Sequence, residues 1–259
     1  MITIAAAAAG SAFVSSGRLV IAGEAVRWRG SALGAQASID IFHPDREEAE
    51  RIVQICLAEV RQLERQFSLY RSDSAICVLN QSGILVSPES DMVALLKASL
   101  EFSELTDGAF DPTVQPLWQL FAEHFSSPKP DPNGPPGPKL AEALAKVGRR
   151  GLLVSEERVA LVRRGAAITL NGIAQGYATD RVVSILRGAG LSTTLVNMGE
   201  IRALGARADG KPWRVGLADP DKPGALIETV DLIDRAVATT AGAGFPADSV
   251  DWALGGGIP

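Results

Sequence analysis

From Glu24 to Ile41 apolar residues alternate with polar ones, interrupted at Gly30 and Gly34. That period of two predicts short strands. Pro44 and Asp45 then punctuate the chain. Asp45 stands where a helix N-cap is expected, with Glu47 and Glu48 in the first turn, where the helix dipole favours negative charge. Ile52, Ile55, Cys56, Val60 and Leu63 recur at helical spacing. The stretch to Phe67 therefore reads as one long amphipathic helix. A second helix is expected from about Ser90 to Leu105, with Met92, Leu95, Leu96 and Leu100 on one side.

Ser126 to Pro138 carries six prolines in thirteen residues, which blocks both helix and strand ladders. It reads as an extended loop inside one domain. After Gly151 the pattern predicts strands at Leu152–Ser155, Val159–Val162 and Ala167–Leu170. A helix follows from Ala178 to Arg187, ended by Gly188 and Gly190, and then strands at Thr193–Val196, Ile201–Leu204 and Trp213–Leu217. Helices and strands mix without a regular βαβ period, so the expected class is α+β. The domain reading is 24–259 as one unit, preceded by 1–23.

Met1 to Phe13 is apolar and rich in small residues, like the middle of an export signal, but no basic region precedes it. The segment 1–23 is read either as the remnant of an export signal or as a disordered extension. The first reading places the protein in the periplasm or on the outer side of the cytoplasmic membrane, the second in the cytoplasm. No segment approaches transmembrane length. A net charge of −5 argues against nucleic acid as a partner, since binding a phosphate backbone needs a basic surface. Cys56 and Cys77 are the only cysteines and read as core thiols, too few for a disulfide framework or a zinc site.

Four segments are richer in glycine, aspartate and aromatic residues than scaffolding requires. They are Ala32–Ile39 (ALGAQASI), Phe67–Asn80 (FSLYRSDSAICVLN), Thr106–Leu117 (TDGAFDPTVQPL) and Ile168–Asp180 (ITLNGIAQGYATD). In the third, Asp107-Gly108 is a turn, and Asp111-Pro112 keeps the aspartate extended. The fourth reads as strand, glycine turn and helix, a junction that offers free N–H groups to a phosphate or merely joins two elements.

Taken together the segments resemble the FAD:protein FMN transferases, the ApbE-like flavin transferases. The family's M-G-T, F-S-x-Y-x-x-x-S, G-A-F-D-P-T, A-K-G-Y-x-x-D and V-N-x-G-G-D stretches fall on Leu33–Ala35, Phe67–Ser74, Gly108–Thr113, Ala174–Asp180 and Val196–Glu200. The resemblance implies cleavage of FAD with magnesium and transfer of FMN to a threonine hydroxyl of a membrane or exported partner protein. It implies flavin-site positions at Leu33, Tyr70, Ala109, Phe110, Asp111, Thr169, Gln175 and Asp180, and metal positions at the Gly172 carbonyl and at Asp248. Tyr70 is an aromatic wall for a ring or a cap of its helix end against the core. Asp111 is a nucleotide anchor or a turn residue. Gly172 is a metal-facing carbonyl or simply a turn residue, and Asp180 orients the junction, stands near the nucleotide or stabilises the first turn of its own helix.

Three departures qualify the implied activity. Leu33 replaces methionine, and Gln175 replaces the lysine of A-K-G-Y, removing a cation near the phosphates. After Thr239 the chain lacks the family's H-I-I-D-P-x-T-G segment, and Trp252 stands where the threonine of A-D-A-x-x-T would be. The C-terminal part thus reads as truncated, and no catalytic residue is assigned, since neither His43 nor His124 lies in a family motif. A catalytically impaired FAD-binding protein and a metal-dependent FAD pyrophosphatase are the alternative readings.

Overall fold

The computed structural model describes residues 4–6, 25–219, 222 and 225–239. In chain order the elements are β1 (Ile4–Ala6), β2 (Ala25–Ala32), β3 (Ala35–Phe42), α1 (Arg46–Phe67), α2 (Ala75–Ser82), β4 (Ile84–Val86), α3 (Ser90–Leu105), α4 (Gln115–Phe125) and α5 (Gly137–Leu144). They continue as β5 (Leu152–Val154), β6 (Arg158–Leu161), α6 (Ala174–Gly188), β7 (Thr194–Asn197), β8 (Ile201–Leu204), β9 (Trp213–Ala218), β10 (Leu226–Leu232) and β11 (Ala236–Val237). The architecture is α+β, as the mixed pattern predicts. The chain divides into two compact units: 1–61 with 175–241, and 62–174 with 242–259. The boundaries fall inside α1 and at the start of α6, and the proline-rich loop lies within the second unit.

In the first unit β2 and β3 form a hairpin whose β3 continues into an antiparallel sheet of order β11-β8-β7-β3-β2. A second sheet has the order β1-β9-β10, in which Ile4 pairs with Leu217 and Ala6 with Val215. Three residues of the 1–23 segment are therefore a strand in this structure. Leu195, Ile201, Ala203, Trp213, Val215 and Leu232 form a buried cluster, with Phe42, Val230 and Val237 packed against it. The Trp213 indole N–H donates to the Gly205 carbonyl at 3.2 Å, satisfying the polar edge of a ring that is otherwise core. Along α1 the buried positions are Ala49, Ile52, Val53, Cys56, Val60, Leu63 and Phe67, the stripe that its periodicity predicts. Asp45 caps this helix, accepting from the Glu47 and Glu48 amides at 2.9 and 3.2 Å.

The second unit carries α2 to α5 and a three-stranded antiparallel sheet of order β4-β6-β5. Three of its helices, α2, α4 and α5, were not expected from the apolar pattern. In α2 the signal is in the caps: the Ser74 hydroxyl accepts from the Cys77 amide, and Gly83 closes the helix at φ 76.

Three expectations are corrected here. Residues 167–170 form no strand, because their backbone groups go to partners other than a neighbouring strand. The Asn80 side-chain amide bonds both sides of Ile168, receiving its N–H at 2.7 Å and donating to its carbonyl at 2.9 Å. The Thr169 amide donates to the Pro112 carbonyl at 2.8 Å. The helix expected from Ala178 begins instead at Ala174, whose amide reaches the Leu170 carbonyl at 2.7 Å. The loop expected through Pro138 is likewise shorter, since α5 starts at Gly137 and accommodates Pro138 in its first turn.

Candidate functional site

In the second unit α3 ends at Leu105 and the chain reverses through two consecutive left-handed residues, Asp107 (φ 50) and Gly108 (φ 84). The Gly108 amide donates back to the Ser103 carbonyl at 2.8 Å, and the Phe110 amide to the Thr106 hydroxyl at 3.1 Å. Asp111 follows. Its Oδ1 accepts from the amide and the hydroxyl of Thr113 at 2.8 and 2.6 Å, and its Oδ2 from the Arg149 amide at 3.1 Å. The Thr113 hydroxyl in turn accepts from the Gly148 amide at 2.7 Å. Asp111 therefore ties its own turn to the 148–149 segment, 38 residues further on.

The same unit brings Thr169 and Gly172 to this turn. Thr169 bonds Pro112 through its amide, and its hydroxyl accepts from the Asn171 amide at 3.2 Å. Gly172 is exposed, and a methyl group placed on it would lie 3.1 Å from Cε2 of Phe110, so the ring rests against a backbone that has no side chain. Ala109, Phe110, Asp111, Thr169 and Gly172 thus share one loop cluster. Tyr70 belongs to the same unit and is 75% exposed, so it does not cap its helix end against the core. Ser74 shapes its loop by donating to the Ser68 carbonyl at 2.7 Å.

The first unit holds Leu33, Gln175 and Asp180. Leu33 (φ 49) and Gly34 (φ 82) are the two residues of the β2–β3 turn, both in the positive-φ conformation of a type I′ hairpin. A leucine held there costs about 1–2 kcal/mol, and such strain is characteristic of ligand-facing positions. The Gln175 side chain lies across Gly199, where a methyl group would stand 2.6 Å from its Cδ, and Gly199 itself has φ 104. For Asp180 the structure removes one of the alternatives, the first-turn role. With α6 starting at Ala174 it sits past the first turn, where the helix dipole no longer acts on it, and it pairs instead with Arg202 on β8. Asp248 lies outside the described residues.

Sequence reasoning passed over Glu200 as a site residue, although it closes the Val196–Glu200 stretch. Burial raises its carboxyl above the ordinary carboxylate value, opposed by the Thr239 amide, which donates to its Oε2 at 3.2 Å. Thr179 Oγ1 stands 2.8 Å from the Gln175 carbonyl and 3.2 Å from that of Glu200, joining the start of α6 to the β7–β8 turn. Arg149 was also passed over. Its signal was the glycine-flanked basic run Gly148-Arg149-Arg150-Gly151.

The remaining polar candidates are engaged elsewhere. Cys56 is buried and its thiol is pushed up to about 12 by desolvation, as a core thiol should be. Part-buried Cys77 makes long contacts to the Ser68 and Leu69 carbonyls. His43 Nδ1 accepts from the Asp45 amide at 3.1 Å, and His124 Nε2, in the last turn of α4, lies 2.9 Å from the carbonyl of Asp131 in the following loop. Among the described residues no three His, Cys, Asp or Glu side chains come together to hold a metal ion, and no helix is long and apolar enough to cross a membrane. A cleft of about 420 Å3 beside β2 and α1, lined by Val26, Trp28, Arg46 and Glu50, holds none of the expected residues.

The model of the ApbE family matches residues 33–244. This chain belongs to the ApbE family. Among curated relatives, an FAD:protein FMN transferase of Klebsiella pneumoniae is 27% identical over 219 residues, which is 82% of this chain and 62% of the relative. The FAD:protein FMN transferase of Treponema pallidum is 31% identical over 205 residues, 71% of this chain and 55% of the relative. The chain thus spans less than two thirds of the length of either relative. Solved structures of this family agree with the fold. The flavin transferase ApbE of Vibrio cholerae superposes with a TM-score of 0.73 at 26% identity, covering 84% of this chain and 72% of that one. The ApbE protein of Thermotoga maritima gives 0.72 at 29% identity, covering 88% and 74%.

Proposed function

We propose that this member of the ApbE family transfers FMN from FAD to a threonine hydroxyl of a membrane or exported partner protein, with magnesium, outside the cytoplasmic membrane. The observation that carries the reading is the family match over residues 33–244, which spans every matched motif from Leu33 to Glu200. The loop cluster of Phe110, Asp111, Thr169 and Gly172 supports it. It offers an aromatic ring, a carboxylate, a hydroxyl and an exposed turn in one place, the mixture a nucleotide site needs.

Magnesium fits this donor set in a limited way. It prefers hard oxygen ligands and keeps several waters, taking few protein groups when substrate phosphates supply the rest. Gly172, exposed in the turn before α6, would offer its carbonyl oxygen, and Asp248 is the second position the family motif assigns. When bound, the ion neutralises charge that develops on the transferred phosphoryl group. The protein's own residues position the substrate: Asp111 fixes the 106–113 turn, and the Phe110 ring rests beside Gly172.

Incubation with FAD, magnesium and a partner fragment carrying an acceptor threonine tests the reading by in-gel flavin fluorescence. Covalent flavin on the partner is the expected result. A dark partner beside an active relative refutes it. AMP released without any acceptor then identifies an FAD pyrophosphatase, and FAD binding without turnover an impaired flavin binder.

A further inference from the structure

We infer that the Arg149 guanidinium is the cation that receives the diphosphate of the FAD substrate, an assignment that rests on the flavin-transfer reading above. Three observations in the second unit converge on it. First, the residue is clamped to the candidate site: its amide donates to Asp111 Oδ2 at 3.1 Å, and the preceding Gly148 amide donates to the Thr113 hydroxyl at 2.7 Å. Second, the guanidinium lies over the reversed turn, with Nη1 3.1 Å from where a methyl group on Gly108 would stand. Third, it is half-buried yet has no carboxylate within ion-pair distance among the described residues. Asp111, the acid nearest in the bonding pattern, is occupied by Thr113 and by the Arg149 backbone instead.

A part-desolvated guanidinium without an anion is costly unless a ligand supplies one. Arginine's planar fork matches two phosphate oxygens at once. The surroundings reinforce the sign. Arg163 donates to the Val147 carbonyl and lies over Gly148, so it holds the turn that carries Arg149 while adding positive charge to it. Arg150 and Arg164 are exposed neighbours in sequence of these two. In a chain of net charge −5 this is a local concentration of cations, the field that draws a doubly charged diphosphate.

Kd values of the full chain for FAD and for riboflavin, which lacks phosphate, separate the charge contact from the ring contact. Arg149→Ala is expected to weaken FAD about tenfold, the loss of roughly one charge-assisted contact, and to leave riboflavin unchanged. The salt dependence of FAD binding should flatten in the same variant. The backbone clamp to Asp111 does not involve the side chain, so the thermal melt should stay put. Should the alanine variant misfold, Arg149→Lys retains the charge but not the fork and is expected to lose a smaller share of FAD affinity only. Unchanged FAD affinity, or equal weakening of FAD and riboflavin, overturns the assignment while leaving the flavin-transfer reading intact. A wild-type chain that binds no FAD overturns both.

Discussion

Removing the Asp111 carboxylate is the most informative single change, because it separates a residue that builds the loop from one that serves a ligand. In Asp111→Ala the Thr113 amide, the Thr113 hydroxyl and the Arg149 amide lose acceptors at 2.8, 2.6 and 3.1 Å. Hydrogen bonds to a charged acceptor contribute about 1.5–3 kcal/mol each, less where water can replace the partner. Asp111 is half-buried while Thr113 is buried, so we take about 1 kcal/mol per bond and expect a total loss of about 3 kcal/mol. For a chain of this size that corresponds to a fall in Tm of roughly 6–12 °C. Urea unfolding followed by far-UV circular dichroism measures it, with the midpoint moving and the slope m unchanged. Asp111→Asn keeps one acceptor for Thr113 and should fall in between. A loss below about 1 kcal/mol for the alanine variant refutes the reasoning. It would mean that the turn stands without its aspartate, which leaves the carboxylate for the nucleotide.

Glu200 predicts a pH dependence. Burial raises its carboxyl above 4.5, so the folded chain holds that proton more tightly than the unfolded one; the resulting stabilisation is present below pH 4.5 and is lost as pH rises through the folded value. Glu200→Gln is uncharged at every pH and keeps an acceptor for the Thr239 amide. It should melt higher than wild type near neutral pH and converge with it below pH 4.5, and a constant difference across that range would contradict the assignment. For the thiols, burial holds Cys56 up to about 12 while Cys77 is part-exposed. A thiol reagent in mildly alkaline buffer should therefore label Cys77 in the native chain and both residues after denaturation, read by peptide mass spectrometry. Rapid native labelling of Cys56 would show that the face of α1 it occupies opens readily.

How much of this protein was legible in its sequence follows from how local each determinant is. The stripe of α1 and its Asp45 cap, the whole of α3 and the strand β8 were readable, because period and capping chemistry act within a few residues. The family was readable too, since its motifs are short runs such as Gly108–Thr113. Residues 167–170 were misread as a strand because they are apolar, and apolarity does not say where backbone groups find partners. Asn80, 88 residues away from Ile168 in the chain, decides that. The early start of α6 moved Asp180 out of the first turn and onto Arg202, a partner that no local pattern announces. The division of the chain inside two helices was equally hidden. Around the candidate site the sequence by itself determined which residues are available: Phe110, Asp111, Thr169 and Gly172. Only the tertiary structure decided that Asp111 is tied to Arg149 and that Phe110 lies against Gly172, because a hydrogen bond or a ring contact between distant segments depends on where folding brings them, not on their neighbours in the chain.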